Sequence, residues 1–310
     1  MKPQWVDIQV NGRQGVPFRS PALTVDQVVF LTEKLRDEGT AAYVPTFTTS
    51  IAPETAVRNV RVIVEARRRS AECARRIIGI HFEGPFVSRE PGYVGAHAPA
   101  FVRDPDVSLI DRYQDAAEGL VKMVTIAAEA KDAENFTRAM SDRGVAVSIG
   151  HSAEWRPDAI GRIAEAGARS FTHLGNGIPL SIPRHDNIIF TALAEDRMSV
   201  QFIPDGFHLP MTVLRVFVRA VPLHRLVAVS DCSFPGGLPP GRYDLEGDVH
   251  ILEPNGFLRA ANGMLHGSSC CLADAVKTLQ NPYIGFTERE CRAVAFENPL
   301  RLIGMEGWGE

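Results

Sequence analysis

The chain has 310 residues, 45% of them hydrophobic and 23% charged, with a formal net charge of −4 at pH 7. That composition can bury a large core and argues against disorder, and without a basic stripe no nucleic-acid partner is expected. The densest basic cluster, Arg67–Arg69 with Arg75 and Arg76, reads as a solvated helix face. Cys73, Cys232, Cys270, Cys271 and Cys291 are odd in number and form no C-x-x-C pair, which points to a reducing compartment rather than a disulfide framework. Met1–Val10 lacks a secretory pattern and no apolar run approaches the roughly 20 residues of a membrane span, so a cytoplasmic protein with no membrane partner is expected.

From the N-terminus onward, short apolar runs alternate with amphipathic segments. Strands are predicted at Val6–Val10, Ala42–Phe47, Ile77–Phe82, Val121–Ala127, Val145–Ile149, Ser170–His173, Val200–Ile203 and Leu226–Ser230. Several are nearly unbroken hydrophobic runs, as parallel strands covered on both faces should be. Helices are predicted between them at Thr24–Glu38, Pro53–Arg69, Val107–Ala117, Ala133–Asp142, Pro157–Ala166, Ile188–Glu195 and Met211–Val221. Thr24 stands where an N-cap belongs, and Gly39, Gly144 and Gly167 fall just past helix ends. Eight strand–helix units predict an α/β fold, a single (β/α)8 TIM-like barrel over residues 1–310. An open doubly wound sheet is the alternative, because pattern alone does not show closure. Residues 236–264 break the rhythm with Pro239-Pro240-Gly241 and Pro254-Asn255-Gly256, and read as a β-hairpin excursion after strand eight. Cys271–Leu279 and Glu288–Ile303 close the chain as helices.

In a parallel barrel, chemistry sits at the C-terminal ends of the strands. Strand three ends in His81-Phe82-Glu83, strand five in Gly150-His151, strand six in Thr172-His173 and strand eight in Ser230-Asp231. Two imidazoles and one carboxylate match a catalytic metal site that keeps a position open for water. Such a cation makes its water acidic, and Asp231, uncommitted to the metal, can accept the proton. Gln9 and Asn11 share the inward face of strand one, but amides are poor transition-metal ligands, so one strongly bound metal is expected rather than two. His81 is read as either a support for the metal ligands or a packed imidazole. His185, His224 and His250 are read as surface residues, His266 as a substrate-contact candidate, and Cys232 as a packing residue.

At this point a resemblance appears. Asp7–Gly12, Gly79–Phe86, Gly95-Ala96-His97-Ala98-Pro99, Ile149–Ser152, Thr172–Asn176, Asp205–His208, Ser230-Asp231, Gly267–Ser269 and Asn298-Pro299 come in the order of the N-acetylglucosamine-6-phosphate deacetylase family of amidohydrolases. The resemblance implies Glu83, His151 and His173 as ligands of one divalent metal, zinc first, with iron or cobalt as alternatives. It implies Asp231 as the catalytic aspartate, His97 as a contact near the acetamide or sugar hydroxyls, and Asn176, the backbone of Gly177 and His208 around the phosphate. Arg184 falls where the family has an arginine that reaches the phosphate of the neighbouring subunit, which implies a homodimer.

The implied activity is removal of the acetyl group from an N-acetylated amino sugar, N-acetylglucosamine 6-phosphate first. The alternatives are another acetamido sugar or small amide, or a non-catalytic binding barrel. The family usually has an aromatic at Gly175 and alanine at Gly177, and loss of the aromatic is expected to enlarge the pocket or loosen its loop. The small β-sandwich that precedes and follows the barrel in the family is expected to be missing.

Overall fold

A computed structural model describes residues 4–309. Eight parallel strands pair in chain order: β1 Trp5–Val10, β2 Thr40–Thr48, β3 Ile80–Phe86, β4 Val121–Ile126, β5 Ala146–Ile149, β6 Ala168–Phe171, β7 Ser199–Phe202 and β8 Leu226–Ala228. The seam closes just beyond β8, where Cys232 bridges Val10 in parallel and its carbonyl accepts the Asn11 N–H at 2.9 Å. The sheet is therefore a closed barrel, and the open-sheet alternative falls.

The helices begin and end where their local chemistry dictates. Thr24 caps Val25–Asp37 through a capping box with Gln27. Pro53 opens Pro53–Arg69, where its missing N–H costs nothing. Apolar faces of these helices pack onto the outer surface of the strands, burying residues such as Leu31, Val60, Ile63, Phe136 and Ile160.

Inside the barrel the side chains form tiers. The lowest is apolar: Val6, Ile8, Ala42, Val44, Met123, Ala146, Val227 and Val229 cluster with Leu300, Leu302 and Ile303 of the last helical segment. That segment runs as α-helix over Glu288–Arg292, as wider π turns over Ala293–Glu297, and as α-helix again over Asn298–Leu302. Asn298 ties it to the barrel by donating to the Leu223 and Leu226 carbonyls. Above lies a hydroxyl tier in which Thr125, Thr172, Ser148 and Ser170 are linked at 2.6–2.9 Å, with Gln201 donating to both serines. His81 belongs here. Its Nε2 is 2.8 Å from Thr125 Oγ1, and burial pushes its pKa down to about 4, so it is a neutral packed imidazole.

Three expectations need correction. Strand three is not Ile77–Phe82 but runs on to Phe86, so Glu83 lies within the strand; Ile77 makes only an isolated bridge to Tyr43. Strand six stops at Phe171, leaving His173 two residues beyond it. The excursion after β8 is a three-stranded antiparallel meander, β9 Gly241–Leu245, β10 Asp248–Leu252 and β11 Leu258–Ala260.

Candidate active site

The barrel mouth gathers Glu83, His151, His173 and Asp231, each less than a tenth exposed. Three of them sit just past strand ends in left-handed backbone conformations: φ is 49° at His151, 26° at His173 and 50° at Asp231. Such a conformation costs a non-glycine residue about 1–3 kcal/mol and persists only where the surrounding fold imposes it.

Glu83 Oε1 is 3.1 Å from His151 Nε2 and 2.7 Å from His173 Nε2. The His151 tautomer follows from its other nitrogen: Nδ1 is 2.9 Å from the Tyr93 carbonyl, which only accepts, so Nδ1 carries the hydrogen. With the hydrogen on Nδ1, the Nε2 lone pair of His151 is free to meet a cation held between it and the Glu83 carboxylate oxygen. Burial would raise the Glu83 pKa, but in the absence of a cation hydrogen bonds from the two imidazoles outweigh it and hold Glu83 well below the usual carboxylate range; a cation would take over that role. The donor set therefore fits a divalent metal with two nitrogens and one carboxylate oxygen.

His97 also points its ring at this group, with Nε2 3.9 Å from Glu83 Oε1. Its tautomer excludes it as a ligand through that atom. The Thr49 backbone N–H donates to His97 Nδ1 at 3.0 Å, so the hydrogen resides on Nε2, which is buried without a partner. Burial first, then the neighbouring His151, push the His97 pKa down to about 3, so it stays neutral. His97 thus keeps an unpartnered N–H beside the Glu83 carboxylate.

Asp231 stands opposite. Burial, reinforced by the Glu83 charge, raises its pKa to about 6 against the pull of His173 and His208. Sequence reasoning missed what Gln9 and Asn11 do: both amide nitrogens donate to Asp231 Oδ1, at 3.2 and 2.6 Å. It also missed Asp205, whose Oδ2 takes the Nδ1–H of His208 at 2.7 Å and whose Oδ1 takes the Phe207 and His208 backbone N–H groups. The carboxylate three residues before the histidine was the available signal.

The remaining expected contacts divide. Gly177, with φ +63°, lies against the His151 ring so closely that a Cβ there would come within 2.7 Å of it, and one on Gly95 within 2.9 Å. Two glycine backbones thus hold the His151 imidazole in a slot. Asn176 donates to the His173 carbonyl and shapes the loop. Arg184 is exposed and has no ion-pair or hydrogen-bond partner among the described residues.

At Gly175 the geometry goes against an enlarged pocket. A Cβ there would point at Leu209, 2.9 Å away, and toward Phe217, so the missing aromatic leaves its volume to the core behind the loop and not to the pocket. His250 is not a surface residue either; it is buried and, with His266, meets Asp248 Oδ2 at 3.3 and 3.0 Å. This trio repeats the residue types of a metal site, but Arg19 already pairs with Asp248 and neutralises it. The Arg19–Asp248 pair is what ties the meander to the chain that follows β1. Cys232 is fully buried with its pKa well raised by burial, a packing residue as read.

No family model matches the chain. Among curated proteins it is 30% identical to the N-acetylglucosamine-6-phosphate deacetylase of Bacillus subtilis (strain 168), over 98% of this chain and 75% of that one. The chain belongs to the N-acetylglucosamine-6-phosphate deacetylase family. An N-acetylgalactosamine-6-phosphate deacetylase of Escherichia coli O157:H7 is 27% identical over 98% of this chain and 78% of its own. The structure of a mutant N-acetyl-D-glucosamine-6-phosphate deacetylase from Mycobacterium smegmatis, in complex with N-acetyl-D-glucosamine-6-phosphate, superposes with a TM-score of 0.86 at 28% identity, covering 98% of this chain and 77% of that chain. Family membership makes this chain a metal-dependent amidohydrolase barrel. No helix among the described residues is long and apolar enough to cross a membrane.

Proposed function

We propose that the protein hydrolyses the acetamide of N-acetylglucosamine 6-phosphate, releasing acetate and glucosamine 6-phosphate. The observation that carries this is the convergence of Glu83, His151 and His173 beside a carboxylate that is not a ligand, in a chain of this family. A divalent cation on that triad, zinc first by its nitrogen and carboxylate donors and iron or cobalt next, would acidify water and polarise the acetyl oxygen.

The chain's own residues do the rest. Asp231 accepts the proton of the attacking water and returns it to the departing amine. His97 donates its Nε2–H to the acetyl oxygen as negative charge develops there. Asp205 holds the His208 Nδ1–H, which turns His208 Nε2 toward a substrate, and the 175–184 loop supplies Asn176 and the Gly177 backbone to the phosphate. Arg184 reaches the phosphate of a second copy; Leu180 at 87% exposed and Phe190 at 54% flank it with the apolar surface that such an interface buries. We place the enzyme in the cytoplasm as a homodimer.

Acetate release by the zinc-replete protein tests this, with N-acetylgalactosamine 6-phosphate and unphosphorylated N-acetylglucosamine as competitors. Turnover is expected to be fastest on N-acetylglucosamine 6-phosphate, and silence on all three sinks the reading. Preference for the galactosamine epimer would favour the second reading that the Escherichia coli relative supports. Replacing His97 by alanine is expected to lower kcat by about 10²–10³-fold, the worth of one such donor, while metal content holds. Metal analysis alongside initial rates checks both halves.

A further inference from the structure

Asp231 does not stand alone at the seam of the barrel. Gln9 Nε2 and Asn11 Nδ2 approach the same carboxylate oxygen, Oδ1, from β1 and the residue after it. The nitrogen ends must be the ones that face it, since an amide oxygen would be repelled by the carboxylate. The amide oxygens, Gln9 Oε1 and Asn11 Oδ1, are buried with no partner among the described residues, so the carboxylate is what orients both side chains. Gln9 lies on β1, while Asn11 and Asp231 lie just beyond β1 and β8, the two strands that close the barrel, joined where Asn11 N–H meets the Cys232 carbonyl. That backbone bond, one residue from Asp231, holds donor and acceptor segments together.

We propose that Gln9 and Asn11 are positioning residues that occupy Oδ1 of Asp231 and leave Oδ2 as the one atom that takes and returns the proton. This rests on the reading of Asp231 as the proton acceptor. When Oδ2 gains a proton, Oδ1 becomes the carbonyl oxygen of the acid and still accepts both amides, so no partner has to move as the proton arrives or leaves. Amides do not titrate, so the clamp keeps its donors at every working pH, which imidazoles in their place would not. Two donors also favour the charged form of Asp231, against burial and the charges of Glu83 and Asp7 and in the same direction as His173 and His208.

The test compares Asn11→Leu and Gln9→Met, close in volume but without the donor, in the zinc-loaded enzyme beside Asp231→Asn. Each is expected to lower kcat by roughly tenfold to a hundredfold, the worth of a hydrogen bond to a charged group, with KM little changed and metal content equal to wild type. The acid limb of the kcat/KM profile should move to higher pH, because the carboxylate has lost a donor. In the Asp231→Asn background neither substitution should lower kcat further. Unchanged kcat and an unmoved acid limb, with Asp231→Asn inactive, would overturn this inference alone. Wild-type rates in Asp231→Asn would overturn the base assignment beneath it. Loss of zinc from Asn11→Leu or Gln9→Met would reassign the amides to the metal. Should Asn11→Leu fail to fold, Gln9→Met carries the same expectations.

Discussion

Asp231→Asn is expected to lower kcat by about 10²–10⁴-fold, the range that a positioned acid–base group contributes, without lowering metal content. Asparagine keeps an oxygen for the Gln9 and Asn11 donors but cannot take a proton. The same change should stabilise the metal-free protein. The folded pKa of Asp231, about 6, lies above the unfolded 3.8. Below pH 3.8 both states are protonated and nothing is lost. Between the two values the folded carboxyl grips its proton more tightly than the unfolded one, and above pH 6 the full penalty for burying the charge applies, about 3 kcal/mol. Asparagine removes that penalty, so the gain in Tm should be present at pH 7.5 and shrink on acidification toward pH 4. With zinc bound, the cation pulls the Asp231 pKa down, and wild-type kcat/KM should fall on an acid limb no higher than pH 6. A variant that is inactive yet no more stable at pH 7.5 would contradict the burial argument while leaving the catalytic one intact.

What the sequence made legible follows from which signals are local. Pro53–Arg69 and Ala133–Asp142 were readable to the residue because apolar spacing and end signals lie within the segment itself. Glu83, His151, His173 and Asp231 were readable as a set because barrel topology assigns chemistry to strand ends. Strand β3 was misplaced because Glu83, Gly84 and Pro85 look like a turn; Glu83 nevertheless pairs with Thr125 of β4, and after an irregularity at Gly84 and Pro85 the strand resumes with Phe86 opposite Ile126. Gln9 and Asn11 were read for what they are not, metal ligands. Their partner lies more than 200 residues away across the seam, a contact that no local pattern carries. Gly175 was not fully readable for a related reason: a residue type says how much volume is missing but not which way its Cβ would have pointed. The burial of His250 was not readable because a histidine in a short strand of a polar excursion reads as solvated, and the Phe234 and His266 rings that pack against it come from other segments.

Glu83→Gln is expected to abolish tight metal binding and, with it, measurable turnover. Glu83 is the only anion in the triad, and its Oε1 is the atom on which both Nε2 atoms converge. A neutral amide there leaves two imidazoles and a weak oxygen donor to replace the hydration of a divalent ion. Loss of a mere supporting hydrogen bond typically costs 10–100-fold in affinity, so loss of the ligand itself should exceed that range. A readout independent of activity is thermal unfolding with added zinc. Zinc at a hundred times its Kd should stabilise wild type by about 2.7 kcal/mol, while Glu83→Gln should show no zinc-dependent gain in Tm. His97→Ala separates the two groupings that geometry allows, because Glu83, His97 and His151 also offer atoms within 4.8 Å of one another. If the Thr49 N–H fixes the His97 tautomer, His97→Ala keeps its zinc response and His173→Ala loses it. The reverse result would make His97 the third ligand and would leave the acetyl oxygen without its proposed donor.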